Sequence, residues 1–340
     1  MKNILVTGGA GFIGSAFVRH MVKTYPDYQI TVFDKLTYAG NLDNLLTVKD
    51  APNYAFVQGD IADAETVRAT LEAHSIDTIV NFAAESHVDR SILDPDAFIR
   101  TDVYGVYTLL EQGRLHGIGR FLQVSTDEVY GDVHEGFSVE TDAFLPNSPY
   151  AASKASGELM VRSYHVTYGM DTVVTRGSNT YGVYHYPEKL IPLFITEAMD
   201  DRPLPVYGDG MQIRDWLYVD DHARGVDVVL HHGTAGEAYN IAGEDLRHNI
   251  DVVRLLLQLL EKPETLIKYV PDRPGHDRRY AMNADKARAL GWARQVTFEE
   301  GLKQTVAWYR ENAWWWRKIK TGEYLEYYRK QYEQRLASAK

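Results

Sequence analysis

NILVTGGAGFIGSAFVRH, residues 3 to 20, runs from an apolar β-branched stretch through four glycines into a helical pattern. Glycines at a strand-to-helix turn have a specific use. Gly8 stands at the turn, and Gly9, Gly11 and Gly14 satisfy G-x-G-x-x-G. Such a turn lets the backbone approach a pyrophosphate, while the helix N-terminus offers it unpaired N–H groups. Asp34 follows twenty residues after Gly14, at the end of the second apolar run, Ile30 to Asp34. A carboxylate there accepts the ribose hydroxyls of NAD and repels a 2′-phosphate, so NAD is expected over NADP. Lys35 is the one neighbouring cation that could tolerate the phosphate. Asp60, in QGDI after the third run, is placed to meet the adenine edge.

Working outward, further apolar runs lie at Tyr54 to Gln58, Thr78 to Phe82, Arg120 to Ser125 and Thr172 to Arg176. Between them stand helical stretches at Ala64 to Ala73, Asp96 to Leu115 and Tyr150 to Tyr168. Strands alternating with helices predict an α/β fold with a doubly wound parallel sheet of the Rossmann type. Past Asn179 the rhythm gives way to turn clusters (YGDG, AGED, PDRPGHD) and short helices. The expected division is therefore an NAD-binding domain over 1–179 and a smaller, mainly substrate-binding domain over 180–340. The two are interleaved, with a segment near 216–242 returning to the main sheet.

The composition excludes several other functions. The 340 residues, 45% hydrophobic, support a large core. A formal charge of −11 opposes nonspecific attraction to nucleic acid or anionic lipid, so an anionic substrate must be met by local cations. No cysteine is present, which removes disulfides, thiolate metal sites and thiol nucleophiles. The twelve histidines show no metal-ligand spacing and no metal is expected. No window reaches membrane-spanning length, and a cytoplasmic location is the default expectation.

In YAASK, Tyr150 and Lys154 stand four residues apart and share a helix face. An ammonium near a phenol favours phenolate, so the expectation is a lowered Tyr150 pKa and a base able to take the proton of a sugar hydroxyl. TGGAGFIG, Asp34 and YAASK together resemble the extended short-chain dehydrogenase/reductase family, over nearly the whole chain. Within that family, STDEVYG at 125–131, YHYPEKLIP, QIRDWLYVDDH and DRPGHDRRY are similar to the sugar-nucleotide 4,6-dehydratases. Relatives that only epimerise or decarboxylate usually lack the adjacent acids Asp127 and Glu128.

The resemblance implies loss of water from dTDP-glucose or a close relative, by oxidation at C4, elimination across C5 and C6, and reduction at C6. Two carboxyl groups meet the needs of the middle step: Glu128 as base for the C5 proton, and Asp127, held protonated, as acid for O6. Neighbours on a regular strand point to opposite faces, so the strand should end near Ser125, with Thr126 placed to bond the C4 oxygen. The resemblance further implies substrate contacts at Ser86, Asn179, Lys189, Leu190, Pro205, Tyr207, Arg214, Asn249, Arg273 and His276. It implies NAD contacts at Phe12, Ile13, Lys35, Leu36, Ile61, Ala83, Ala84 and Thr101, besides Tyr150 and Lys154.

The family commonly reads SNNYGP where this chain has SNTYGV, which puts one cofactor contact near Thr180 in doubt. The resemblance also implies a homodimer joined by a four-helix contact of 96–115 and 150–168. Two rivals stand beside this reading. One is a UDP-sugar 4-epimerase, which needs no acid pair; the other is a noncatalytic NAD-sensing regulator, which needs only the dinucleotide site. Trp314, Trp315 and Trp316 are expected to pack against the second domain, and Arg329 to Lys340 to fray.

Overall fold

The computed structural model describes residues 1–337 and contains twelve strands. They are β1 (Asn3–Thr7), β2 (Gln29–Asp34), β3 (Tyr54–Gln58), β4 (Thr78–Asn81), β5 (Arg120–Thr126), β6 (Thr172–Gly177), β7 (Asn179–Tyr181), β8 (Leu204–Tyr207), β9 (Ile213–Tyr218), β10 (Ala238–Ile241), β11 (Leu246–His248) and β12 (Ile267–Val270). Seven form one sheet in the order β10-β6-β5-β4-β1-β2-β3, every pair parallel. This is the doubly wound sheet expected from the alternating pattern. The chain reverses direction across the sheet between β1 and β4, which opens a crevice at the carboxyl ends of the strands.

Side chains alternate along β1. Ile4 and Val6 join one core layer with Phe17 and Met21 of helix Phe12–Thr24 and Val226 of helix Val219–His232. Leu5 joins the other, with Leu71, Leu109 and Val161 of helices Ala64–Ala73, Val106–His116 and Pro149–Tyr168. With both faces covered, the strands read as continuous apolar runs.

Helix Pro149–Tyr168 carries Tyr150 and Lys154 and has a well-made start. Ser148 caps it by accepting from the Ala151 N–H, and Pro149 occupies the first turn. The stretch read as one helix from Asp96 to Leu115 is instead a short helix (Asp96–Phe98), a π-helical turn (Ile99–Gly105) and a helix (Val106–His116). Hydrophobic period alone does not reveal a π turn.

The remaining strands build two small sheets, β11-β9-β7 and β12-β8. These share a core with helices Leu190–Met199, Asn249–Leu260 and Phe298–Glu311, built on Tyr181, Phe194, Trp216, Leu256 and Leu302. Trp315 and Trp316 are buried in it, and Trp314 is half exposed. The closing segment does not fray as far as residue 337: Gln331 and Tyr332 are buried, and Gln331 donates to Asp89 and to the Tyr207 hydroxyl. The rest of that stretch, 338–340, lies outside the described residues.

Candidate active site

At the end of β5 the backbone turns sharply. Thr126 is the last strand residue, and Asp127–Tyr130 form a 3-10 turn capped by the Thr126 hydroxyl, which accepts from Glu128 N at 3.3 Å. The turn breaks strand alternation, so the strand ends one residue later than expected and the acids still face one cleft. Behind it, Arg176 of β6 makes a buried ion pair with Glu158 and donates to the Tyr130 hydroxyl at 2.6 Å, tying turn, strand and helix Pro149–Tyr168 together.

One cavity of about 420 Å³ runs from the glycine turn to the small sheets. Its walls contain Gly8, Gly11, Phe12, Ile13, Gly14, Asp34, Lys35, Asp60, Ile61, Ala83, Ala84 and Thr101 at one end. Thr126, Asp127, Glu128, Tyr150 and Lys154 lie in the middle, and Ser86, Asn179, Lys189, Leu190, Pro205, Tyr207, Arg214, Asn249, Arg273 and His276 at the other. Of the expected site residues, Leu36 is missing from the wall, as is Gly9 of the glycine fingerprint. Leu36 holds φ +58 and donates its N–H to Asp34 Oδ1 at 2.8 Å, so it orients the carboxylate from behind. Asp34 Oδ2 accepts from Ala10 N at 3.0 Å. Lys35 is turned to Asp60, 2.7 Å away, which draws off the cation that a 2′-phosphate would need.

The glycines fit a dinucleotide. A side chain on Gly14 would place its Cβ 2.3 Å from the Gly8 carbonyl, and Gly8 itself sits at φ +66 against the Ala83 backbone. Several buried polar atoms in the cavity wall have no partner within the protein: Asn179 Oδ1, Gln212 Oε1, Asn249 Oδ1, Arg273 Nε and Asp127 Oδ2. Unsatisfied buried groups concentrated in one cleft mark a ligand site. Gly14→Ala must therefore push the helix start away from the β1 turn. The expected result is at least about tenfold weaker NAD binding, about 1.4 kcal/mol, seen as NAD lost on gel filtration; wild-type NAD content would contradict it.

Electrostatics separate the two acids. Burial, then the Glu128 charge, push the Asp127 carboxyl well above its ordinary range, and the Thr126 hydrogen bond (Oγ1 to Oδ1, 3.0 Å) opposes this only in part. Burial also raises Glu128, but Arg273, Lys189 and Arg214 pull it back. Burial and a like charge thus favour the neutral form of Asp127, while its neighbour keeps cationic support.

Tyr150 departs from expectation. Its phenol is pushed well above the usual value by burial and then by Glu128, and Lys154 is not among the largest contributions to that shift. Lys154 donates to the Val124 carbonyl at 2.9 Å, and burial lowers its own pKa. The i, i+4 spacing is present, but desolvation of the phenol outweighs it.

Arg273 Nη1 is fixed by Asp89 at 3.0 Å, and Arg214 by the Asp277 carbonyl at 2.9 Å, with its guanidinium over the Tyr280 ring. Burial and both arginines push His276 down to about 4, against the pull of Asp272 2.6 Å from its Nδ1, and so favour the neutral imidazole. Residues missed in the sequence also reach the cavity: Glu85, Ser178, His185, Gln212 and Tyr280. His185 stacks on Phe12 with centroids 4.0 Å apart. Tyr280 donates to Asp277 at 2.7 Å and lies 3.4 Å from Glu128. Thr180 lines the cavity, and its hydroxyl pairs with His222 Nδ1 at 2.7 Å.

Residues 5–305 match the family described as GDP-mannose 4,6 dehydratase. A dTDP-glucose 4,6-dehydratase from Neisseria meningitidis serogroup B is 50% identical over 347 residues, covering 95% of this chain and 98% of that protein. The chain belongs to the dTDP-glucose 4,6-dehydratase family. Within it, the solved dTDP-glucose 4,6-dehydratase DesIV from Streptomyces venezuelae, with NAD bound, is 49% identical with a TM-score of 0.91, covering 94% of this chain and all of that one. The fold is wider than the family. A UDP-glucose 4-epimerase from Thermotoga maritima reaches a TM-score of 0.85 at 30% identity, covering 92% of this chain and 99% of that one. Backbone shape is thus shared with an epimerase.

Proposed function

We propose that this chain converts dTDP-glucose to dTDP-4-keto-6-deoxyglucose. The observation that carries the reading is the buried Asp127 carboxyl, with Oδ2 unpartnered in the cleft wall beside Glu128 and Tyr150. NAD, held by the glycine turn and Asp34, supplies the hydride acceptor that oxidises C4 and then reduces C6. Tyr150 takes the O4 proton. The ketone at C4 acidifies the C5 proton, which Glu128 removes while Asp127 protonates the departing O6. Arg273 and Arg214 meet the diphosphate. An epimerase has no use for a neutral acid at O6, and a regulator has no use for either acid. The test is mass spectrometry of a panel of nucleoside diphosphate hexoses after incubation: the expected product is lighter by one water, with dTDP-glucose preferred. Unchanged mass throughout overturns the reading.

The pH dependence follows from the two acids. Activity needs Glu128 ionised; its pKa is raised, so rate falls as pH drops through a value above the ordinary glutamate range. It also needs Asp127 protonated, and its pKa is raised well above normal, so rate falls as pH rises through that value. The expected kcat/KM profile is a bell, and a plateau extending to alkaline pH would remove Asp127 from the acid role.

A homodimer belongs to the same proposal. On helices 99–116 and 149–168, Tyr104, Leu115, Leu159 and Val166 are each more than half exposed, an apolar face suited to a four-helix contact. Leu159→Glu is expected to halve the mass measured by light scattering, and an unchanged mass would place the contact elsewhere. A cytoplasmic location is part of the reading, supported by a chain with no cysteine to oxidise.

A further inference from the structure

Arg273 stands on an irregular stretch just after β12, where a long side chain has many rotamers open to it. A planar guanidinium recognises phosphate only when its N–H groups are aimed at the anion. In this structure the aim is set by the protein. Arg273 Nη1 donates at 3.0 Å to Asp89, a carboxylate 3% exposed on helix Val88–Leu93. Arg273 Nε is buried in the cavity wall and has no partner among the described residues. One N–H is tied down, and another is left for a ligand.

Asp89 is in turn held by two further donors. It accepts from the Tyr207 hydroxyl at 2.8 Å and from Gln331 Nε2 at 2.9 Å, and Gln331 also donates to the Tyr207 hydroxyl at 2.7 Å. With three donors on it, this carboxylate cannot swing away without leaving a buried polar group unpaired. Gln331 lies in the turn Arg329–Glu333 that follows helix Gly322–Tyr328, and it is not itself in the cavity wall. That closing segment is anchored close by. Tyr324 donates to the Pro187 carbonyl at 2.8 Å, and Glu323 lies 3.7 Å from Arg90, the neighbour of Asp89. Arg90 is clasped between the rings of Tyr38 and Tyr327, 3.7 and 4.3 Å from their centroids. The end of the chain thus bears on helix Val88–Leu93, and that helix bears on Arg273.

We propose, resting on the function above in which Arg273 meets the diphosphate, that Asp89 is a positioning residue for diphosphate recognition: it sets the Arg273 guanidinium, and Gln331 of the closing segment holds Asp89 in that role. Two effects of the carboxylate oppose each other. Its charge offsets that of Arg273 and repels incoming phosphates, which lowers affinity. Its hydrogen bond fixes the guanidinium before the ligand arrives, which removes the cost of ordering that side chain on binding. Lys189 and Arg214 also line the cavity and supply positive charge, but neither replaces an aimed Arg273 Nε. Positioning is therefore the larger effect, and Gln331 acts on the substrate through Asp89 without touching it.

Calorimetric titration of the NAD-loaded enzyme with dTDP tests this without turnover. Asp89→Asn, nearly the same shape, is expected to weaken dTDP binding at least about tenfold while NAD content stays at the wild-type level, and Arg273→Leu to weaken it to a similar degree. Gln331→Leu is expected to weaken it about threefold or more. The double variant Asp89→Asn with Arg273→Leu is expected to bind within about twofold of Arg273→Leu alone, because Asp89 then has nothing to position. A loss from Asp89→Asn that persists in full beside Arg273→Leu makes Asp89 a structural part of the pocket and overturns the positioning role. Wild-type affinity in Asp89→Asn overturns it as well, and so does tighter binding, which would make charge offset the larger effect. Full affinity in Gln331→Leu overturns the part given to the closing segment. Should Asp89→Asn not fold, the same cycle run with Gln331→Leu decides by the same criterion. A wild type that fails to bind dTDP, or an Arg273→Leu variant that binds it fully, overturns instead the functional reading, and either outcome is seen before Asp89 is compared.

Discussion

Glu128→Gln mixed with dTDP-glucose is expected to develop the near-ultraviolet absorbance of reduced nicotinamide and to keep it, while steady turnover falls by about 10² to 10⁴-fold. The substitution preserves size and removes the base, so Tyr150 can still take the O4 proton but the C5 proton has nowhere to go. The surroundings support this role. Arg273, Lys189 and Arg214 all act on the Glu128 carboxylate, and Tyr280 lies 3.4 Å from it. Stopped-flow absorbance checks the result; full retained turnover would remove Glu128 from the base role.

Tyr150→Phe has an effect of similar size and earlier onset. With the phenol gone, O4 keeps its proton, C4 is not oxidised, and neither the absorbance transient nor product should appear at more than about 10⁻² to 10⁻⁴ of the normal rate. The phenol starts from a raised pKa, because burial and Glu128 both disfavour its charge. Lys154, bonded to the Val124 carbonyl, contributes little to phenolate in the protein alone. A positive charge brought by bound NAD would favour the phenolate. The measurable corollary is a Tyr150 ionisation that falls when NAD is added, read by difference spectroscopy against the phenylalanine variant.

The parts of this site that were legible in the sequence are those that depend on local order. Gly8 to Gly14 followed by Asp34 needs only a strand, a turn and a helix, each read from a short window, and the cofactor end of the cavity is built from them. Asp127 and Glu128 were legible because they follow directly on a strand end. At the other end, Arg214 and Arg273 stood out as cations suited to a diphosphate, whereas Asn179, Lys189, Pro205 and Asn249 were visible only through resemblance, since they come from separate elements with no common period.

Glu85, Gln212 and Tyr280 escaped for the same reason. The Tyr150 pKa was misjudged because spacing reports which side chains share a face, whereas desolvation depends on everything packed over them. The π-helical turn at Ile99–Gly105 was hidden too, since it inserts into an apolar pattern that reads equally well as one straight helix.

The central claim is that a single sugar is oxidised, dehydrated and reduced without leaving the cleft. Its most direct test is dTDP-glucose carrying deuterium at C4, incubated with the enzyme and analysed by mass spectrometry and NMR. The predicted product is lighter by one water and carries the deuterium at C6. A product of unchanged mass, or one from which the label has passed to solvent, would contradict the account.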